Sequence, residues 1–164
     1  MKEYWGKTGK FKPLLYETGV NLENLVIDAF REMGIKVRKL PEGSYADFEF
    51  QISEDLIGIC EVKGLTGSAN IRHLRQLLQY FIEQRDIEKR NVKGIFIVNH
   101  FRNKNPKERD KPLTNDAEEL VKKYGFVVLT TVDLYNYITK FLENKLSKED
   151  FLSKFYSNPM TNGL

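Results

Sequence analysis

Three charged residues in this sequence have types and spacing that could do chemistry together. Glu61 and Lys63 are two apart at the end of the run Leu56-Ile57-Gly58-Ile59-Cys60-Glu61-Val62-Lys63, which is apolar until its last residues. Alternation at period two puts Ile57, Ile59, Glu61 and Lys63 on one face of a strand. A lone buried carboxylate or ammonium costs several kcal/mol unless it is paired or binds a metal. Context matters more than the tripeptide: Glu143-Asn144-Lys145 has the same spacing but reads as a solvated helix end.

Asp47 opens the segment Asp47-Phe48-Glu49-Phe50-Gln51-Ile52, which alternates strictly. A hairpin turning at Ser53-Glu54-Asp55 would bring Asp47 to the end of the sheet that holds Glu61 and Lys63. Two carboxylates beside a lysine make a hard-oxygen cation site of the kind Mg²⁺ uses, keeping waters for substrate phosphate. The competing reading makes Asp47, Glu49 and Gln51 the wet face of an antiparallel sheet.

Glu23 falls in the apolar arc of a helix, with Val26, Ile27 and Phe30 at i+3, i+4 and i+7. It is either a third acid at the site or a first-turn glutamate favoured by the helix dipole. Gln76 and Tyr80 are four apart, hence neighbours on a second helix whose start follows the Lys63 loop. Arg72, Gln79 and Glu83 share its polar side, which is otherwise an ordinary solvated face.

The elements that must position these groups follow from periodicity and punctuation. Asn21 reads as the N-cap of a helix that stops at Gly34. Strands are expected over Ile35–Leu40, Asp47–Ile52 and Leu56–Lys63, and a helix over Asn70–Arg85. A buried strand, Val92–Asn99, precedes a basic loop at 100–113 carrying Arg102, Lys104, Lys107, Arg109 and Lys111. A helix capped by Thr114 or Asn115 runs to Tyr124, with Gly125 ending it. Phe126–Thr130 reads as a strand, Val132 to about Lys145 as a helix, and Ser147 as the start of a last short helix. Three successive strands predict an antiparallel meander; the later alternation predicts parallel crossovers. The expectation is an α/β fold, a central mixed sheet of about five strands with helices on both faces.

The constellation Glu23 … Asp47 … Glu61-Val62-Lys63 … Gln76-x-x-x-Tyr80 resembles the restriction-endonuclease-like superfamily and its PD-(D/E)xK signature. The resemblance covers about residues 20–135, with one departure: Ala46 stands where the signature has proline. It implies metal-dependent phosphodiester hydrolysis. Asp47 and Glu61 would be Mg²⁺ ligands, with Mn²⁺ as a substitute, the Val62 carbonyl oxygen a further ligand and Glu23 an optional one. Lys63 would position or activate the attacking water. Glu23 matches the first-helix acid of Holliday-junction resolvases and other members, and Gln76 and Tyr80 match the Q-x-x-x-Y element of the RecB-like branch. The stretch from Gly94 to Leu134 is also similar to restriction-like domains often fused to other modules.

Composition sets the remaining bounds. The 164 residues amount to one domain by length. An N-terminal arm at 1–20 (Lys2, Tyr4, Trp5, Lys7, Lys10, Phe11, Lys12), a nuclease domain at 21–146 and a short helix with a fraying tail at 147–164 are the expected parts. The arm is either loosely docked or a phosphate-contacting segment with stacking aromatics. The net charge of +3 permits nucleic-acid binding without demanding it. Cys60 stands alone, which excludes a disulfide framework and a cysteine-rich zinc site, and it reads as core. His73 and His100 are not at metal-ligand spacing. The lack of a run approaching the ~20 apolar residues of a membrane helix points away from the membrane and towards the cytoplasm. The expected partner is nucleic acid, DNA before RNA, contacted by Arg72, Arg102, Lys104, Lys107 and Arg109, with a homodimer or a fused partner compatible. A different class stays open: a non-cleaving nucleic-acid-binding or assembly module of the same fold, or a gated domain of a larger defence protein.

Overall fold

The computed structural model describes residues 9–156. Lys2, Tyr4, Trp5 and Lys7 of the expected arm, and the tail from residue 157, lie outside the described residues.

Helix α1 (Gly19–Glu32) leads into strands β1 (Val37–Lys39), β2 (Phe48–Ser53) and β3 (Leu56–Gly64). Helix α2 (Ile71–Ile82), extended by a π turn at Glu83–Ile87, crosses to β4 (Val92–Asn99). Helix α3 (Asn115–Tyr124), β5 (Val127–Thr130), α4 (Thr131–Leu142) and α5 (Lys148–Leu152) complete the order. The sheet runs β1-β2-β3-β4-β5. The first three strands pair antiparallel and β3, β4 and β5 pair parallel. This is the expected mixed sheet, because a short hairpin turn forces antiparallel pairing and a helix crossover returns a strand parallel.

Alternation along the strands divides the core in two. Phe48, Phe50, Ile52, Cys60, Val62, Ile95 and Ile97 pack with α1 and α4 on one face. Ile59, Phe96 and Val98 pack with Leu74, Leu77 and Phe81 of α2 and with Ala117 and Val121 of α3 on the other. Phe30 anchors the first face, meeting Phe48, Phe50 and Phe151 edge-on at 5.3, 5.0 and 5.3 Å between ring centres. Such pairs each add about 1 kcal/mol beyond area burial.

The ends of some elements differ from expectation. The α1 N-cap is Thr18 rather than Asn21, so the helix starts three residues earlier. Thr18 makes no cap bond to its own helix; its hydroxyl donates to the Gly64 carbonyl at 3.0 Å and ties the start of α1 to the end of β3. No sequence rule for local capping anticipates a contact 46 residues away. The helix does stop at Gly34, at φ +83°. Gly125 ends α3 at φ +66°, and Ser147 caps α5 in a reciprocal box with Asp150, as their residue types predict.

Residues beyond the expected boundaries at 20/21 and 146/147 share the main core. Phe11, Leu14, Phe151 and Phe155 are all buried in the same cluster as Phe30. The described part of the arm is therefore packed: it carries aromatic and leucine side chains as well as lysines, and the apolar ones fill the face beneath α1 and α4.

Candidate active site

The sequence places Asp47 immediately before β2, and the hairpin register pairs its neighbour Phe48 with Cys60. Asp47 therefore stands across from the end of β3 that carries Glu61 and Lys63. Its backbone N–H donates to the Cys60 carbonyl at 2.8 Å, and its Oδ2 accepts from the Val62 N–H at 2.7 Å. These two bonds hold the carboxylate against the β3 backbone.

Glu61 is 1% exposed. Its Oε1 lies 3.4 Å from Lys63 Nζ, and its Oε2 accepts from the Leu77 N–H of α2 at 3.2 Å. Burial raises the Glu61 pKa to about 7, the Asp47 charge adds to the rise, and Lys63 opposes it. Burial likewise raises Asp47, against the Val62 hydrogen bond and the charges of Lys63 and Lys39. Lys63 lowers both acids and Asp47 raises Glu61: two acids and one ammonium meet at one end of the sheet, as their spacing led us to expect.

Glu23 joins them from α1. Burial raises its pKa first, then the Asp47 charge, while Lys39 lowers it. Lys39 Nζ is 3.9 Å from Glu23 Oε1 and donates to Asn24 at 3.2 Å. Glu23, Lys39, Ser44, Ala46 and Asp47 line a cavity of about 340 Å³ at this end of the sheet. Lys39 was missing from the sequence reading, although its alternation on β1 and its basic type were signals.

The remaining expected site residues divide. Tyr80 turns to a different acid: its hydroxyl donates to Glu49 at 3.1 Å, not to Glu61. Glu49 is buried at 3% exposure, which ends the reading of Asp47, Glu49 and Gln51 as one wet face. Arg38 and Arg90 both pair with Glu49, the latter at 2.9 Å. Burial pushes the Glu49 carboxyl up, but the hydrogen bonds from Arg90 and Arg38 outweigh it and hold the group below its ordinary range. Gln76 and Arg72 are exposed on α2. His73, also missed, closes the α2 capping box by accepting the Asn70 N–H at 3.0 Å. Burial lowers its pKa, and Lys63 and Arg72 lower it further, so the imidazole stands within the field of Lys63.

The basic loop carries a correction. Arg109, expected to face nucleic acid, directs its guanidinium inward: to Asn99 Oδ1 at 2.8 Å, the Leu15 carbonyl at 2.5 Å and the Lys104 carbonyl at 3.1 Å. It is a strut between the loop, β4 and the residues before α1, because a fork of five donors satisfies buried carbonyls that a lysine could not. Arg102 reaches the Tyr16 carbonyl at 3.5 Å, and Lys104 sits 3.9 Å from Asp110 and over the Phe101 ring. Lys107 is exposed. Backbone bonds from Phe101 to Gly67 and from Arg102 to Leu65 put the loop beside the segment that follows Lys63.

The donor set suits a divalent cation. Asp47 and Glu61 are hard oxygen donors, burial raises both, the Asp47 charge raises Glu61 further, and a cation between them would offset that cost. Among the described residues no group of three or more His, Cys, Asp and Glu side chains is arranged to hold a metal. Mg²⁺ asks for less, since one or two carboxylates with water and phosphate suffice.

No protein-family model and no curated protein matches the sequence. Two solved structures share the architecture. The restriction endonuclease FokI bound to DNA matches 94% of this chain at a TM-score of 0.62 and 15% identity. A repair endonuclease from Pyrococcus abyssi matches 70% of it at a TM-score of 0.50 and 21% identity. The chain spans 30% and 47% of the lengths of those two proteins. The fold is restriction-endonuclease-like, as the order of acids and elements implied.

Proposed function

We propose that this chain is a Mg²⁺-dependent nuclease that hydrolyses phosphodiester bonds, with DNA as the preferred substrate. The carrying observation is the convergence of Asp47, Glu61 and Lys63 at the end of β2 and β3, with Glu61 3.4 Å from the ammonium. The DNA-bound neighbour supports the choice of substrate.

Hydrolysis needs a deprotonated water in line with the leaving oxygen and neutralisation of charge at phosphorus. Mg²⁺ held by Asp47 and Glu61, with the Val62 carbonyl oxygen and Glu23 as further candidates, would supply Lewis acidity and lower the pKa of water. The chain's own groups do the rest. The Val62 N–H and the Leu77 N–H fix one oxygen of each acid, which leaves Asp47 Oδ1 and Glu61 Oε1 as the oxygens outside those two bonds. Lys63 Nζ, beside Glu61 Oε1, orients the attacking water and offsets negative charge on the phosphate. Gln76, exposed one residue before Leu77, would hydrogen-bond water or phosphate. Tyr80 acts at a distance, holding Glu49 and with it the β2 frame. Arg72, Lys104 and Lys107 are the exposed cations we assign to the nucleic-acid backbone.

The test is cleavage of labelled DNA and RNA panels with Mg²⁺ or Mn²⁺ by the wild type, Asp47→Asn and Lys63→Ala. Loss in both variants with folding retained supports the reading. Equal trace activity in all three removes it. A second reading, a non-cleaving nucleic-acid-binding or assembly module, is favoured by the lack of a three-ligand cluster among the described residues; tight binding without cleavage in every metal would establish it.

A further inference from the structure

We propose that the cavity at the carboxyl ends of β4 and β5 is a nucleobase pocket, in which His100 meets the polar edge of a planar heterocycle. The cavity measures about 450 Å³ and is lined by His100, Pro112, Leu113, Val128, Val132 and Asp133 among others. Small-molecule sites span roughly 300–1,000 Å³. Topology explains its place: β4 runs out into His100, β5 into Thr130, and α4 begins at Thr131. Ligands of open α/β sheets bind outside the carboxyl ends of the strands.

His100 is 6% exposed, and its Nδ1 has no hydrogen-bond partner among the described residues. Thr131, fully buried between the lining residues Thr130 and Val132, has an unpartnered hydroxyl as well. An unmade bond of this kind costs about 1–3 kcal/mol and calls for a partner. Burial and the Arg109 guanidinium push the His100 pKa below its ordinary value, against a hydrogen bond to the Asp110 backbone and the Asp133 charge. The Asp110 backbone takes the ring's donor, so Nδ1 is left as an acceptor for an N–H on the edge of a base.

The charges argue against a simple anion. Arg109 is held by Asn99 and Leu15, and Lys111 by Asn115 at 2.5 Å and Glu118 at 3.4 Å. Of the lining carboxylates, Asp110 and Glu118 pair with Lys104 and Lys111, and Asp133 adds acceptor oxygens that no ion pair among the described residues takes up. A neutral ring with N–H donors fits these acceptors; a phosphate does not. Pro112, Leu113, Val128 and Val132 supply apolar wall for its faces.

The pocket lies on the same sheet edge as Lys63, which pairs with Val98, two residues before His100. At ~4.8 Å per strand, β5 is about 10 Å from β3. A base belonging to a strand bound at Asp47 and Glu61 could enter it, and that source rests on the nuclease reading; a free nucleoside does not.

The experiment is NMR of isotope-labelled full chain in metal-free buffer, with the four ribonucleosides, a short single-stranded DNA and inorganic phosphate as probes. Saturable shifts at His100, Val128 and Val132 on adding a nucleoside support the pocket with a free ligand. Silence with nucleosides, but shifts with the oligonucleotide that one abasic position removes, supports the pocket with a strand-borne base. Val132→Phe fills the cavity without touching a buried polar group and should weaken either interaction by roughly tenfold or more; His100→Asn is the companion variant. Failure of every nucleoside and of the oligonucleotide to shift the lining, or equal shifts with phosphate, overturns the proposal. Shifts that persist in Asp47→Asn separate the pocket from cleavage, so either reading can fail without the other.

Discussion

Glu61 sits 3.4 Å from Lys63 and is almost wholly removed from solvent, yet its pKa lies near 7 because burial and Asp47 outweigh the lysine. One ammonium does not compensate two acids in a low-dielectric site. The remaining imbalance is a local cost to the fold, and a bound cation would offset it.

The first prediction concerns the two acids. Asp47→Asn and Glu61→Gln should each lower Mg²⁺-supported cleavage by about 100-fold or more. Metal-free thermal unfolding should move upward or stay level, since each change removes a carboxylate that burial disfavours. Paired kinetic and melting curves check both halves.

The pH dependence of stability carries a definite sign. The Glu61 pKa is near 7 in the fold against an ordinary 4.5. The folded state therefore binds more protons than the unfolded state between those values, and this stability is complete below pH 4.5. It is lost as pH rises to about 7, a change of about 3 kcal/mol from this group. Denaturant titrations of metal-free protein at pH 5 and pH 8 should show the fall, and Glu61→Gln should flatten it. Adding Mg²⁺ should recover stability at pH 8 more than at pH 5.

Gly64 is a steric requirement next to the site. A Cβ there would come within 2.7 Å of the Thr18 backbone. Gly64→Ala should cost about 1–3 kcal/mol and lower cleavage by displacing Lys63 relative to α1. Thr18→Val, which removes only the 3.0 Å hydroxyl bond to Gly64, should cost about 1 kcal/mol. Chemical unfolding and initial rates measure the two effects.

The Glu49 cluster should behave as structure. Glu49→Ala leaves Arg90 and the Tyr80 hydroxyl without their buried acceptor and should destabilise by about 3 kcal/mol. Tyr80→Phe should cost about 1 kcal/mol and leave the cleavage rate within a few-fold of wild type. A Tyr80→Phe variant that folds normally but does not cleave would move Tyr80 into the chemistry.

The basic loop should split by residue. Arg109→Ala should lower the melting temperature, because four acceptors lose their donor. Lys104→Ala with Lys107→Ala should leave melting unchanged and reduce the salt slope of DNA affinity by about two. Binding titrations across salt concentrations distinguish them.

Much of the scaffold was legible in the residues themselves. Strict alternation in 47–52 and the apolar run from Leu56 set the strand faces, the short turn at 53–55 dictated antiparallel pairing, and the crossovers dictated parallel pairing. Period two then places Glu61 and Lys63 side by side, and hairpin closure delivers Asp47 to them. These are local rules of backbone geometry, so a linear chain displays them. What tertiary structure decided is which partner each polar group takes. Thr18 bonds to Gly64 instead of its own helix, Tyr80 to Glu49 instead of the acid pair, and Arg109 to Asn99 and Leu15 instead of facing outward. A donor's choice among acceptors depends on distances between segments 10 to 94 residues apart. Those distances exist only once the sheet, its two helical layers and the packed residues before α1 have closed around it.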